Sequence, residues 1–302
     1  MRLIAFSGQG TQFVGMGKEF IDRFAAARAV FMEVDRTLNY SISDIILNGP
    51  TATLCATEHA QVAIMCTSIA ILRTLQIHYN FQIKEDDILI GNSLGEYTAL
   101  CASGALTLQQ CTQLLQARSK AMAKCTNPNH TMAAVIGMSS EDVHNILRNL
   151  NMHDMKCEIS NDNCPGQIVV SGDREALEIL KPYVKKMITL NVSGAFHSSY
   201  MKKAAEQMHQ ILNDVTFGDT KIRVISNHSL NIPPTKHDLE QQVCTCVRFR
   251  EGVQLAHQLG CESFVEIGPQ SILANMITKT VPIQGFAVCS LQDIEDNIGN
   301  FT

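Results

Sequence analysis

The chain of 302 residues sets 24 Lys and Arg against 29 Asp and Glu, a net charge of −5, and has no Trp. Nothing in that balance would neutralise a row of phosphates, which argues against a nucleic-acid binder. At 45% hydrophobic and 18% charged residues the composition is that of a globular protein with room for one large domain and a smaller one, and it excludes disorder or a fibrous fold.

Taken in chain order, residues 3–6 read as a strand, 17–39 and 58–78 as helices, 88–90 as a strand, and 94–102 and 108–124 as helices. The opening apolar run is too short for the core of a signal peptide. The most apolar helical stretch, 62–72, is interrupted by Thr67 and Ser68 and falls short of a bilayer span. A soluble, cytoplasmic protein without a membrane partner is expected. The 11 cysteines include no C-x-x-C pair, which suits a reducing compartment and speaks against a zinc site or other bound metal.

The polar stretch from Cys125 to His130 contains Pro128 and introduces a second pattern. Strand 132–136, a helix from Ser139, strands 157–160 and 167–171, a helix from Asp173 extending to about 185 and strand 187–192 make a βαββαβ order, that of a split βαβ unit. Helices 199–212 and 249–259 and strands 223–225 and 264–267 complete the chain. The alternation predicts an α/β protein. Residues 1–126 and 196–302 would form a large α/β-hydrolase-like domain with a mainly parallel sheet. Residues 127–195 would form an inserted, small ferredoxin-like subdomain.

Gly91-Asn92-Ser93-Leu94-Gly95 lies between a strand and a helix. Such a G-x-S-x-G turn lifts a serine hydroxyl clear of the backbone and turns helix N-terminal amides toward a developing oxyanion. A serine nucleophile needs a base, and 10 histidines compete for the role. His59, His78, His144, His209 and His257 sit in amphipathic helical stretches, where surface or structural duty is the ordinary case. His197 differs, standing where a strand gives way to a helix among small residues. Arg118 falls on the apolar stripe of Cys111, Leu114, Leu115 and Met122. An inward guanidinium needs a carboxylate, from the protein or from a ligand, and the residues alone favour the protein. The Gly-rich turn from Phe6 to Gln12 lacks the Lys of a P-loop and the third Gly of a dinucleotide fingerprint, but its N–H groups could face the elbow as oxyanion donors.

In this order the motifs resemble the malonyl-CoA:acyl-carrier-protein transacylase family, including the acyltransferase domains and free-standing acyltransferases of polyketide synthases. The resemblance spans nearly the whole chain. It rests on Gly8-Gln9-Gly10-Thr11-Gln12, Gln61, the elbow at Ser93, Arg118 with Met122, and Met132-Ala133-Ala134-Val135. It continues through Asn163-Cys164-Pro165-Gly166-Gln167, Ala195-Phe196-His197-Ser198, Ser226-Asn227 and Glu266-Ile267-Gly268-Pro269. It implies that Ser93 is acylated, that His197 is the general base and acid, and that the N–H groups of Gln9 and Leu94 form the oxyanion hole. A main-chain carbonyl at Gln242 would orient the histidine. Arg118 would bind the free carboxylate of a malonyl group, which reverses the preference for a protein partner. Asn92, Phe196, Asn163 and Gln167 would line the substrate pocket. The implied substrate is malonyl-CoA, the implied partner an acyl carrier protein, and no bound cofactor is implied. The family usually has His where Asn92 stands and Pro where Ser7 and Val62 stand. Phe196, in place of the Ser found with branched extender units, resembles malonyl-selective members.

Two other functions compete. A hydrolase clearing acyl chains from carrier proteins would use the same Ser93 and His197, but would leave Arg118 unpaired. A carrier-protein docking module without activity rests only on Asn92, and the presence of both Ser93 and His197 weighs against it.

Overall fold

The computed structural model describes residues 1–150, 152, 154–192 and 194–301. The chain opens on β1 (Arg2–Phe6) and runs through α1 (Lys18–Arg23), α2 (Ala25–Leu38), α3 (Ile42–Asn48), α4 (Thr51–Cys55) and α5 (Thr57–His78) to β2 (Ile88–Gly91), α6 (Leu94–Ala102) and α7 (Leu108–Lys124). Then come β3 (His130–Ile136), α8 (Ser140–Asn149), β4 (Cys157–Cys164), β5 (Gln167–Asp173), α9 (Arg174–Leu180) and β6 (Met187–Thr189). The last stretch holds α10 (Lys202–Asn213), β7 (Arg223–Val224), α11 (Lys236–Gln242), α12 (Phe249–Gln258), β8 (Ser263–Ile267), α13 (Leu273–Thr280), β9 (Gln284–Val288) and α14 (Leu291–Asn297).

Five strands form one sheet in the order β7-β2-β1-β8-β9, parallel at every pairing. Helices cover both faces, so β1 and β2 are continuous apolar runs rather than alternating ones. The fold is α/β, as the alternation of elements predicts. The other sheet is antiparallel, in the order β4-β5-β3-β6, which is the strand order of a ferredoxin-like βαββαβ unit. Its own core of Val135, Val143, Val170 and Leu177 lies beneath α8 and α9.

Several elements differ from the sequence reading. The helix expected over 17–39 breaks at Phe24, which is extended (φ −121°, ψ 126°), and its N–H bonds to Phe20 O, ending α1. α5 matches the helix expected over 58–78 to within one residue, but its apolar character runs beyond 62–72. By length and composition it could cross a bilayer, but it is buried among α2, α6 and α7 and serves as a core helix apolar on all sides. The expected helix to about 185 stops at Leu180, and β6 is shorter than its apolar pattern. Six short elements, each of eight residues or fewer, are absent from the sequence reading: α3, α4, α11, α13, β9 and α14. Capping chemistry stood in plain view for three of them, at Ser41 with Asp44, Thr235 with Asp238 and Ser290 with Asp293. β9 is an edge strand whose Gln284 and Gly285 are exposed, so it shows no apolar run.

Candidate active site

β2 ends at Gly91 and α6 begins at Leu94, leaving Ser93 on the turn between them with φ +55° and ψ −108°. That left-handed backbone costs of order 1–3 kcal/mol for a non-glycine residue and persists only when its surroundings enforce it. Glycine on either side makes the turn feasible. A Cβ on Gly91 would lie 1.8 Å from Gly95 C, and one on Gly95 would lie 2.3 Å from Phe6 O, so the helix start rides directly on β1 and β2. Asn227, in the turn after β7, locks the elbow by accepting from Ser93 N through Oδ1 (2.8 Å) and donating through Nδ2 to Gly91 O (2.8 Å).

His197 reaches the same point from the chain leaving the antiparallel sheet. It too has a left-handed backbone, φ +55°. Its Nδ1 lies 2.8 Å from Gln242 O and its Nε2 2.7 Å from Ser93 Oγ. A carbonyl only accepts, so Nδ1 carries the proton and Nε2 is left to accept from the Ser93 hydroxyl. Burial, reinforced by the Arg118 charge and only partly offset by the Gln242 carbonyl, pushes the imidazole down to about 3. It is therefore neutral at physiological pH and competent as a base.

Arg118 enters from α7 and is 1% exposed. Its Nη1 donates to Gln61 Oε1 (2.6 Å), and its Nη2 to Gln242 Oε1 (2.8 Å) and Ser93 Oγ (3.0 Å). The guanidinium stacks 5.6 Å from the Tyr97 ring centroid. The residues taken alone favour a protein carboxylate for this arginine. The structure corrects that: the acceptors are two amide oxygens and a hydroxyl, and among the described residues no carboxylate touches it.

The turn at Gly8 packs against the elbow so closely that a Cβ there would lie 2.7 Å from Asn92 O. The backbone N–H groups of Gln9, in that turn, and of Leu94, first in α6, donate to no group among the described residues. Asn92 Nδ2 donates to Asn163 Oδ1 (3.3 Å), tying the elbow to the end of β4. A register shift between Asp162 and Cys164 breaks the β4 pairing at Asn163. Phe196 is buried in the large core beside His197. Gln167 stands apart: its side chain meets Cys164 Sγ (4.0 Å) within its own hairpin and bonds to none of Ser93, His197 and Arg118. Two clefts of about 520 and 470 Å³ open along the seam of α8 and β4 and include none of the three.

Gln61, Glu96 and Asn227 carry the framework of the site, yet sequence reasoning assigned them no role. Glu96 had a signal, as the one acid in the otherwise uncharged run from Leu94 to Cys101. Gln61 and Asn227 stood out only as motif positions of the resemblance, with no role attached, because their partners lie 57 and 134 residues away.

The model of the acyl transferase domain matches residues 4–297. The malonyl CoA-acyl carrier protein transacylase of Bacillus subtilis (strain 168) is 35% identical over 288 residues, covering 91% of this chain and 88% of that protein. The acyl-carrier-protein-S-malonyltransferase from Bartonella henselae superposes with a TM-score of 0.91 at 34% identity, covering 100% of this chain and 99% of the other. A malonyl-transacylase solved with its type II polyketide synthase acyl-carrier protein superposes with a TM-score of 0.92 at 27% identity, covering 99% of both chains. Fold and matches together define an acyltransferase. The chain belongs to the malonyl-CoA:acyl-carrier-protein transacylase family.

Proposed function

We propose that the protein moves a malonyl group from CoA to the phosphopantetheine thiol of an acyl carrier protein by way of a Ser93 acyl-enzyme. The observation that carries this reading is the position of Arg118: its buried guanidinium donates to the nucleophile's own oxygen and meets no carboxylate among the described residues. A malonyl carboxylate would complete its hydrogen bonding one acyl length from Ser93.

In the first half-reaction the Ser93 oxygen bonds to the thioester carbon as His197 Nε2 takes the hydroxyl proton. The free N–H groups of Gln9 and Leu94 stabilise the developing oxyanion. The carbon–sulfur bond then breaks and the imidazolium returns its proton to the CoA sulfur. The second half-reaction reverses these steps with the carrier thiol. Gln242 O holds the Nδ1 proton throughout, in the place an Asp takes in other triads. Phe196 and Asn163 shape the acyl pocket, and Asn92 stands where the family has His. No resident cofactor is needed for this chemistry. The compartment is the cytoplasm, where CoA thioesters and carrier proteins meet. We place the subdomain boundaries near 127 and 195.

Carrier proteins are acidic, so docking needs a local cationic face. Lys185 and Lys186 are exposed and make no ion pair among the described residues, whereas Arg248 and Arg250 are occupied by Glu251 and Asp162. The lysines are therefore the better candidates. Hydrolytic editing is less well supported, since an uncharged acyl chain would leave Arg118 without an anion.

Intact-protein mass spectrometry after mixing with malonyl-CoA tests the reading. One malonyl mass on the native chain and none on Ser93→Ala is expected. Acylation of Ser93→Ala would overturn it.

A further inference from the structure

The charge of Arg118 is balanced one amide away. Gln242 accepts from Arg118 through Oε1 and donates through Nε2 to Glu96 Oε2. The same carboxylate oxygen accepts from Asn227 N (3.1 Å), and Asn227 in turn holds Ser93 N. Glu96 therefore ties together the supports of nucleophile, base and arginine. Its other oxygen, Oε1, is buried with no partner among the described residues.

The charged and titratable groups that interact with Glu96, namely Arg118, Asp238 and Tyr97, come from three helices. Arg118 on α7 favours the carboxylate, and Asp238 on α11 opposes it. Asp238 stays ionised because hydrogen bonds from Ser229 and Thr235 outweigh its burial. Tyr97 on α6 and Cys111 on α7 are pushed up by burial and stay neutral, as does His197. Burial of Glu96 itself is the largest influence and lifts it to about 7, against the hydrogen bonds from Asn227 and Gln242.

In the empty site Arg118 and Glu96 form a separated but neutral pair. If a substrate carboxylate seats on Arg118, as the function above requires, a second anion enters the same dry volume. Two carboxylates sharing one cation cannot both stay ionised there without a large penalty, and one of them protonates. The substrate carboxylate receives the direct guanidinium bonds, whereas Glu96 is reached only through Gln242 and has an unused oxygen. We propose that Glu96 is the counter-charge of the empty site and takes up a proton from solvent when a malonyl carboxylate occupies Arg118, so that malonyl binding is coupled to proton uptake and acetyl binding is not.

The experiment is calorimetric titration of a Ser93→Ala protein, which cannot be acylated, with malonyl-CoA and acetyl-CoA in buffers of different ionisation enthalpy. A group titrating near 7 is about three-quarters ionised at pH 7.5, so malonyl-CoA should bring in roughly 0.7 proton more than acetyl-CoA. The acetyl arm subtracts protons taken up by the CoA phosphates. Adding Glu96→Gln should erase the excess while malonyl-CoA still binds, because the amide keeps an acceptor for Gln242 and Asn227. Should that variant not fold, the malonyl-to-acetyl affinity ratio with Glu96 intact must fall roughly five- to tenfold from pH 7.5 to 8.5. A preference for malonyl-CoA with no excess proton and a flat ratio overturns this proposal alone, as does an excess that survives Glu96→Gln. No preference for malonyl-CoA over acetyl-CoA overturns the role of Arg118 as well.

Discussion

The two sheets handle polarity in opposite ways. At the carboxyl ends of the parallel strands, Glu96, Arg118, Gln242 and Asn227 are buried and joined into one hydrogen-bonded knot beneath Ser93. The antiparallel sheet keeps an apolar core, with Val135, Val143, Val170 and Leu177 behind it, and reaches the elbow by hydrogen bond through Asn163. It is stitched to the larger body by Val247, which exchanges backbone bonds with Ser160 and Asp162, and by the Arg250–Asp162 ion pair (2.7 Å). In the proposed reaction the larger body thus supplies the buried charges around Ser93, and the antiparallel sheet supplies shape and carries the chain to His197.

That division predicts where damage appears. The largest effect belongs to His197→Ala, which should slow both half-reactions by about 10²- to 10⁴-fold, because one imidazole serves as base and acid in each. Since burial holds His197 down to about 3, the base stays neutral well below its ordinary range. In a Glu96→Gln background, which removes the neighbouring group near 7, acetyl transfer should then lack an acid limb between about pH 5 and 8, and a limb near pH 6.5 would show a solvated imidazole. Leu177→Ala, in the core of the antiparallel sheet, should cost about 2–5 kcal/mol of stability by denaturant melt. The acylation rate of the folded fraction should change little, and a catalytic loss matching that of His197→Ala would erase the distinction between the sheets. The smallest effect is expected on the surface. Reversing the charges of Lys185 and Lys186 should raise KM for the carrier protein roughly two- to tenfold at low salt and leave Ser93 acylation unchanged. An unaltered KM would place docking elsewhere.

The same contrast explains what could be read from the amino-acid order. In the antiparallel unit only the β4–β5 hairpin is local, and β3 pairs with β5 and β6 across intervening helices; the βαββαβ order of elements, rather than proximity, gives its strand order. The elbow, like that hairpin, is local, a Gly-flanked Ser between strand and helix. The knot beneath it joins residues 25 to 149 positions apart, and no periodicity marks such partners. Arg118 shows the limit clearly. Helical spacing put it inside, but only the fold shows that amide oxygens of Gln61 and Gln242 hold it where a carboxylate was expected. Motif order supplied Gln242 as the residue behind His197, a pairing that spacing alone could not reach. Gln167 shows the converse, a residue close in sequence to Asn163 whose side chain turns back into its own hairpin.

The central claim is that Arg118 reads the substrate's carboxylate, and Arg118→Ala tests it most directly. The variant should be assayed for transfer of malonyl and of acetyl groups from CoA, with the ratio of kcat/KM values as the readout. A charge-assisted bidentate pair in a dry pocket is worth roughly 2–4 kcal/mol, so the malonyl preference should fall on the order of 30- to 1,000-fold, with acetyl transfer much less affected. An equal loss for both substrates would make Arg118 a structural residue and contradict the account.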